Sequence, residues 1–207
     1  MLQGVTWFQH SSCSIRRDNF VIYIDPWDLP RNCPPADLIL ITHDHFDHYV
    51  PSEIARLWKT DTQLVVPQSM FGQVPAIAHY LKPGATTTLA GVQIKATAAY
   101  NTNRIFHPAF MQSVGYLIHL GNTSYYHAGD TDLVPEMAAV RADVAFLPIG
   151  GTYTMDPQAA AKAAAIVQAK AVVPIHWGRL TGTTKEAALF AELVGTPAKV
   201  LEQGREQ

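Results

Sequence analysis

Apolar and polar positions alternate on short periods through most of this chain and lengthen into helical periods only in a few places. Three strand-length runs come first: Gly4 to His10, Ser12 to Arg16 and Phe20 to Asp25, with Asp18-Asn19 as a hairpin-type connection. Phe20 to Ile24 is nearly all apolar, which predicts a central strand, and Asp25-Pro26 stops it because proline cannot continue a ladder. A loop holding Pro30, Pro34 and Pro35 leads to Leu38 to Ile41, apolar on both faces and therefore expected inside a covered sheet. Pro51-Ser52-Glu53 reads as the first turn of a helix running to about Lys59. The strand Gln63 to Val66 follows, then a helix or irregular turn over Ser69 to Tyr80. Gly91 to Thr97 alternates like a strand with one solvated face.

A long loop, Asn101 to Gln112, precedes a second hairpin of Gly115 to Leu120 and Ser124 to His127 about the turn Gly121-Asn122. Ala142 to Ile149 is a further buried strand, and Val172 to Ile175 another. Asp156-Pro157 sets an N-cap before proline at the start of an alanine-rich helix reaching about Ala169. Thr183-Thr184-Lys185-Glu186 fits a capping box ahead of Ala187 to Val194. Strands followed by helix occur in each half, the pattern of an α/β chain with two sheets packed face to face and helices outside.

Composition narrows the function. At 207 residues the chain fits one domain, 1–207, or at most a tightly fused pair of halves. With 48% hydrophobic and 15% charged residues it can bury a sizeable core. A net charge of −2 and no basic cluster point away from nucleic acid. Cys13 and Cys33, in different segments, read as reduced thiols of a cytoplasmic protein. Met1-Leu2-Gln3-Gly4 has no signal-peptide pattern, and no apolar run nears the roughly 18 residues of a membrane span. Oligomeric state is not encoded in any of these features.

The chemistry concentrates in Thr42-His43-Asp44-His45-Phe46-Asp47-His48, directly after an apolar strand. Burying such groups unpaired costs several kcal/mol by order of magnitude, and a divalent metal would compensate. In extended chain His43 and His45 point the same way, while Asp47 and His48 follow in the turn. The segment can feed two neighbouring metal positions, His43 with His45 and Asp47 with His48, leaving Asp44 structural. Other polar residues stand at strand ends: His10, Asp130 after Tyr126-His127-Ala128-Gly129, His176 after Pro174-Ile175, and Asn101 after Ala98-Ala99-Tyr100.

His43-x-His45-x-Asp47-His48, Gly129-Asp130-Thr131 and Pro174-Ile175-His176 together resemble the signature of the metallo-β-lactamase superfamily. Trp7-Phe8-x-His10-Ser11-Ser12 and Ile149-Gly150-Gly151-Thr152-Tyr153-Thr154-Met155 are similar to its compact metal-dependent hydrolases related to ascorbate-6-phosphate lactonase. The resemblance covers about residues 5 to 180. It implies an αβ/βα four-layer sandwich of two mixed sheets flanked by helices, with one or two divalent ions at one edge, zinc first and manganese second. It implies that Asp130 bridges the ions, that His176 joins Asp47 and His48, and that Asp25 orients a ligand imidazole. The first position's third imidazole has Asn101 in its place, with His107 as the substitute that the loop could supply. His10 and His127 are expected to line or support the site, and Arg104 to meet an anionic substrate.

Such a chain is expected to be a metal-dependent hydrolase, with Asp47, Asp130 and His176 at the chemistry and an ester, lactone or phosphodiester-type small molecule as substrate. No Gly-x-Ser-x-Gly elbow competes with that mechanism. The alternatives are a non-catalytic metal-binding or interaction protein with a degenerate first position, or a phosphodiesterase or nuclease.

Overall fold

Alternation within single strands determines how the layers stack in the computed structural model, which describes residues 1–75, 77–195 and 197–207. In β3 (Phe20–Ile24), Val21 and Tyr23 face an outer cluster while Ile22 and Ile24 face an inner one. The next strand, β4 (Leu38–Leu40), repeats the division: Leu38 and Leu40 turn inward, Ile39 outward. The outer cluster is closed by Ile54 and Leu57 of helix α1 (Pro51–Leu57). A fully buried side chain of this size contributes about 1.5–3 kcal/mol.

Four further strands complete this first sheet: β1 (Val5–Gln9), β2 (Ser12–Arg17), β5 (Gln63–Pro67) and β6 (His79–Leu81). The order is β1-β2-β3-β4-β5-β6, antiparallel up to β3 and parallel beyond it. The second sheet holds β7 (Thr86–Leu89), β8 (Val92–Ala98), β9 (Val114–Leu120), β10 (Thr123–His127), β11 (Val144–Pro148) and β12 (Ala171–Ile175). Its order is β12-β11-β10-β9-β8-β7, antiparallel from β7 to β10 and parallel from β10 to β12.

Ile94, Tyr116, Ile118 and Tyr126 of the second sheet join Ile22, Ile24, Leu38 and Leu40 in the inner core. On its outer side lie α2 (Pro157–Val167) and α3 (Thr184–Val194), sealed by Ala160, Ala163 and Phe190. Asp156 caps α2 by accepting from the Ala159 amide at 2.7 Å, and Thr183 with Glu186 forms the reciprocal box at the start of α3. The result is the expected αβ/βα sandwich.

Two edges differ from the sequence expectation. Over Ser69 to Tyr80, expected as a helix or irregular turn, the chain takes the irregular form, a 3₁₀ turn at Gln68–Met70, but then enters the short edge strand β6; Ala76, inside that segment, lies outside the described residues. The strand β7 was not expected at all. Thr-Thr-Thr-Leu has no apolar alternation, and β-branched threonines serve as a solvated edge. Cys13 and Cys33 are free. Among the described residues no helix is long and apolar enough to cross a membrane.

Strand direction positions the site. Within each sheet β1, β3 and β4, and likewise β8, β10 and β12, run the same way. The residues following their carboxyl ends include His10, Asp25, Thr42 to His48, Asn101, Asp130 and His176. The sheets are tied next to these ends, where the Val114 amide donates to the Thr42 carbonyl at 3.0 Å and the Tyr116 hydroxyl to the Ile41 carbonyl at 2.6 Å.

Candidate metal centre

The chain leaves β4 and folds back at once. The amides of His48 and Tyr49 both donate to the His45 carbonyl, at 3.0 and 2.8 Å, so Asp47 and His48 return beneath His43. The His43 ring then stands 4.5 Å from that of His45 and 4.0 Å from that of His48, centroid to centroid.

Three overlapping groups of donor atoms result, each with its atoms within 4.8 Å of one another, the third being His43, His48 and Asp130. His43, His45 and His107 form the first, with His107 Nε2 3.3 Å from His45 Nδ1. His10, Asp47, His48 and His176 form the second, with His10 Nε2 3.0 Å and His48 Nε2 3.7 Å from Asp47 Oδ2. Asp130 stands between them. Its Oδ2 lies 3.9 Å from His43 Nε2, 3.5 Å from His107 Nε2, 3.5 Å from His48 Nε2 and 2.9 Å from His176 Nε2.

These distances test whether metal ions suit the residues. Ligand bonds of about 2.0–2.2 Å in a tetrahedron put neighbouring donor atoms about 3.3 Å apart, and the observed separations bracket that value. Both ring nitrogens of His10, Nε2 of His43 and of His48, and Oδ1 of Asp130 are buried with no aligned hydrogen-bond partner. Donors that crowd together yet do not point at one another are arranged as the ligands of a metal ion would be. Imidazole and carboxylate are the ligand types that bind zinc and its first-row neighbours. The residues fit the group.

Buried support surrounds the donors. Asp25 Oδ2 lies 2.7 Å from His48 Nδ1 and accepts from the Thr42 hydroxyl at 2.7 Å, while Oδ1 accepts from the Thr42 amide at 2.8 Å. His48 therefore carries a proton on Nδ1, and its Nε2 faces the cluster. Asn101 stands behind His107 rather than among the donors. Its Oδ1 accepts from the His107 amide at 3.0 Å and faces His107 Nδ1 at 3.2 Å, while its amide donates to the Tyr153 carbonyl at 2.9 Å.

His127 is turned the other way, with Nε2 2.9 Å from the Ser11 carbonyl and Nδ1 accepting from the Gly129 amide at 3.2 Å; it braces two backbone segments. Arg104 is engaged by Asp132 Oδ1 at 2.6 Å and the Thr154 carbonyl at 2.8 Å. Thr42 and Asp132 escaped the sequence reading. A threonine before a histidine and an aspartate two residues after another were the only signals, and neither is specific.

Charge is strongly perturbed here. Burial works to lower the His48 imidazole, yet the Asp130 and Asp25 carboxylates overcome it and hold it well above the usual histidine range. Burial would raise Asp130, but His176 and His48 keep it well below the carboxylate range. Asp47 is held at about 2, burial being outweighed by His10 and His48. His10 is pushed down to about 4 by burial, against the pull of Asp47, and burial likewise lowers His43 and His107. Low-pKa imidazoles beside ionised carboxylates are prepared for a cation.

The centre opens into a cleft of about 370 Å³ whose walls include His45, Asp47, His107, Asp130 and His176.

Residues 4–176 match the profile of a family described as Beta-lactamase superfamily domain. A UPF0173 metal-dependent hydrolase of Nitratidesulfovibrio vulgaris (strain DP4) is 31% identical over 226 residues, spanning 96% of this chain and 90% of the relative. One from Hyperthermus butylicus is 35% identical over 198 residues, spanning 84% and 82%. A solved structure from Parabacteroides distasonis superposes with a TM-score of 0.85 at 32% identity, covering 96% of this chain and 92% of that one. Igni18, a metallo hydrolase of Ignicoccus hospitalis, does so with a TM-score of 0.82 at 27% identity, covering 97% and 95%.

Proposed function

Since the chain belongs to the β-lactamase superfamily domain family and, within it, to the UPF0173 metal-dependent hydrolases, we propose that it hydrolyses an ester, lactone or phosphodiester-type small molecule at a centre for two divalent ions. The observation that carries this reading is the convergence of donor atoms into adjacent groups, those of His10, His43 and His48 buried without a hydrogen-bond partner, with Asp130 Oδ2 within 3.9 Å of both sides. His43, His45, His107 and Asp130 would hold one ion; Asp47, His48, His176 and Asp130 the other, with His10 as a further donor. Zinc is the first expectation and manganese the second. Bound there, such an ion supplies Lewis acidity and makes hydroxide available near neutral pH.

The chain's own residues do the rest. Asp25 fixes the His48 tautomer, and Asn101 holds the His107 backbone and ring. Asp47, ionised and lining the cleft, would accept a hydrogen bond from the attacking water and so orient it. His176 and Asp130 orient the reacting group at the cleft floor. The same reading takes residues 1–207 as one cytoplasmic domain that acts on small molecules and not on nucleic acid.

The test is metal analysis beside turnover. Purified wild type should bind up to two equivalents of Zn²⁺ and hydrolyse a member of a panel of lactones, carboxylic esters and phosphodiesters. A His48→Ala, His176→Ala double variant that stays folded should lose most of its metal and all turnover. Unchanged stoichiometry in that variant refutes the centre. Full metal with no turnover on the whole panel refutes hydrolysis and leaves a metal-binding protein.

A further inference from the structure

The mouth of the cleft is built differently from its floor. Phe46, Phe106, Tyr153 and Leu180 form its rim, with exposures of 70%, 43%, 36% and 45%. All four lie outside regular secondary structure, on separate segments. Phe106 meets the Tyr153 ring edge-on at 4.7 Å, and Phe46 meets Trp27 in the same manner at 6.2 Å. Tyr153 in turn stands 6.4 Å from the His176 ring, joining the rim to the donors. Large apolar side chains held in water at one opening mark a place where an apolar group is received.

The neighbouring cations are already engaged. Arg104 is bound to Asp132 and the Thr154 carbonyl. Arg179 pairs with Asp28 and lies 4.7 Å over the Trp27 ring. Among the described residues lining the cleft there is no lysine or arginine. Recognition of a phosphorylated or otherwise anionic substituent away from the reacting bond relies on such cations, in bidentate geometry for arginine.

We propose that the substrate is an uncharged carboxylic ester or lactone with an apolar acyl or aryl group, that group lying against Phe46, Phe106, Tyr153 and Leu180. The inference rests on the hydrolytic reading above and narrows it. In the reaction, the oxygen of one water forms a bond to the acyl carbon, the acyl carbon–oxygen bond breaks, and a proton from the water ends on the departing alkoxide. The products are a carboxylate with its released proton and an alcohol, or, from a lactone, a single hydroxycarboxylate and the proton. No redox partner is needed.

A length series on the Zn²⁺-loaded protein tests this: 4-nitrophenyl acetate, butyrate and octanoate, with 4-nitrophenyl phosphate and bis(4-nitrophenyl) phosphate alongside. Each fully buried methylene gives about fourfold in binding, so kcat/KM should rise at least about tenfold from acetate to octanoate, mainly through KM. Phe106→Ala and Leu180→Ala should raise the octanoate KM about fivefold or more and compress the acetate-to-octanoate ratio. Phe71→Ala removes an aromatic that is 71% exposed but does not line the cleft, and should leave that ratio unchanged. A flat length series, or rim variants with the wild-type ratio, overturns the proposal. Metal-dependent turnover confined to the phosphate esters overturns it while the hydrolytic centre stands. No turnover of any substrate at full metal loading removes the hydrolytic reading itself.

Discussion

Replacing Asp25 by asparagine would change one atom in a fully buried side chain, and its consequences should reach the metal. Asp25 receives three donors: the Thr42 amide at 2.8 Å on Oδ1, and the Thr42 hydroxyl and His48 Nδ1, each at 2.7 Å, on Oδ2. A carboxylate accepts all three; a carboxamide has one acceptor oxygen. In either orientation the new NH₂ faces a donor. Turned toward His48, it forces Nδ1 to accept and moves the ring proton to Nε2, the atom that faces Asp47 and Asp130. Turned toward the Thr42 amide, it leaves that buried N–H unsatisfied, at about 1–3 kcal/mol.

Loss of such an outer partner lowers metal affinity about 10–100-fold, or roughly 1.4–2.7 kcal/mol. Competitive chelator titration of wild type and Asp25→Asn measures this directly, with circular dichroism to establish the fold. The ion released first in the variant should be the one held by His48. A folded Asp25→Asn protein with affinity within about twofold of wild type would refute the link from tautomer to metal.

Metal should also stabilise the fold by mass action: free Zn²⁺ at a hundred times its Kd adds about 2.7 kcal/mol, or about 5–11 °C in Tm for a chain this long, so superimposable melts with and without EDTA would count against an occupied site. Asn101→His should not tighten the first position, because residue 101 points at His107 and not at the donors of His43 and His45; His107→Ala should lose one equivalent of metal, and metal analysis of the two variants separates these roles. His10→Gln should weaken the Asp47/His48/His176 position alone and reduce its nitrogen count by X-ray absorption, whereas an unchanged spectrum would leave His10 as a wall of the cluster.

The layers of the fold were legible because their signals are local. Period-two alternation in Phe20 to Ile24 and the cap residues Asp156 and Thr183 need no knowledge of distant chain. The edge strands β6 and β7 were not, since their residues pair by backbone and carry no apolar stripe. At the centre, the His43 to His48 turn announced itself by polarity after an apolar strand. The choice between Asn101 and His107 did not. It depends on a loop closure in which the Asn101 amide donates to the His107 carbonyl at 2.7 Å and the Asn101 side chain holds the returning amide. Nothing periodic in Asn101 to Gln112 encodes that return. The engagement of Arg104 by Asp132 is likewise a contact across 28 positions of sequence.

His10, Asp25 and His176 share a backbone state: their φ angles are +49°, +48° and +58°, the left-handed region in which residues with a Cβ are held at a cost of order 1–3 kcal/mol each. Asparagine or glycine would sit there more comfortably. His43 and His107 are under no such tension. The scaffold is thus inclined to give up its centre in a definite order. A descendant released from selection for activity should drift first to asparagine or glycine at positions 10 and 176, gaining local ease with each change, while Asp25 stays held by its three buried donors. Histidines 43 and 107 would persist longer as fossils of the lost chemistry.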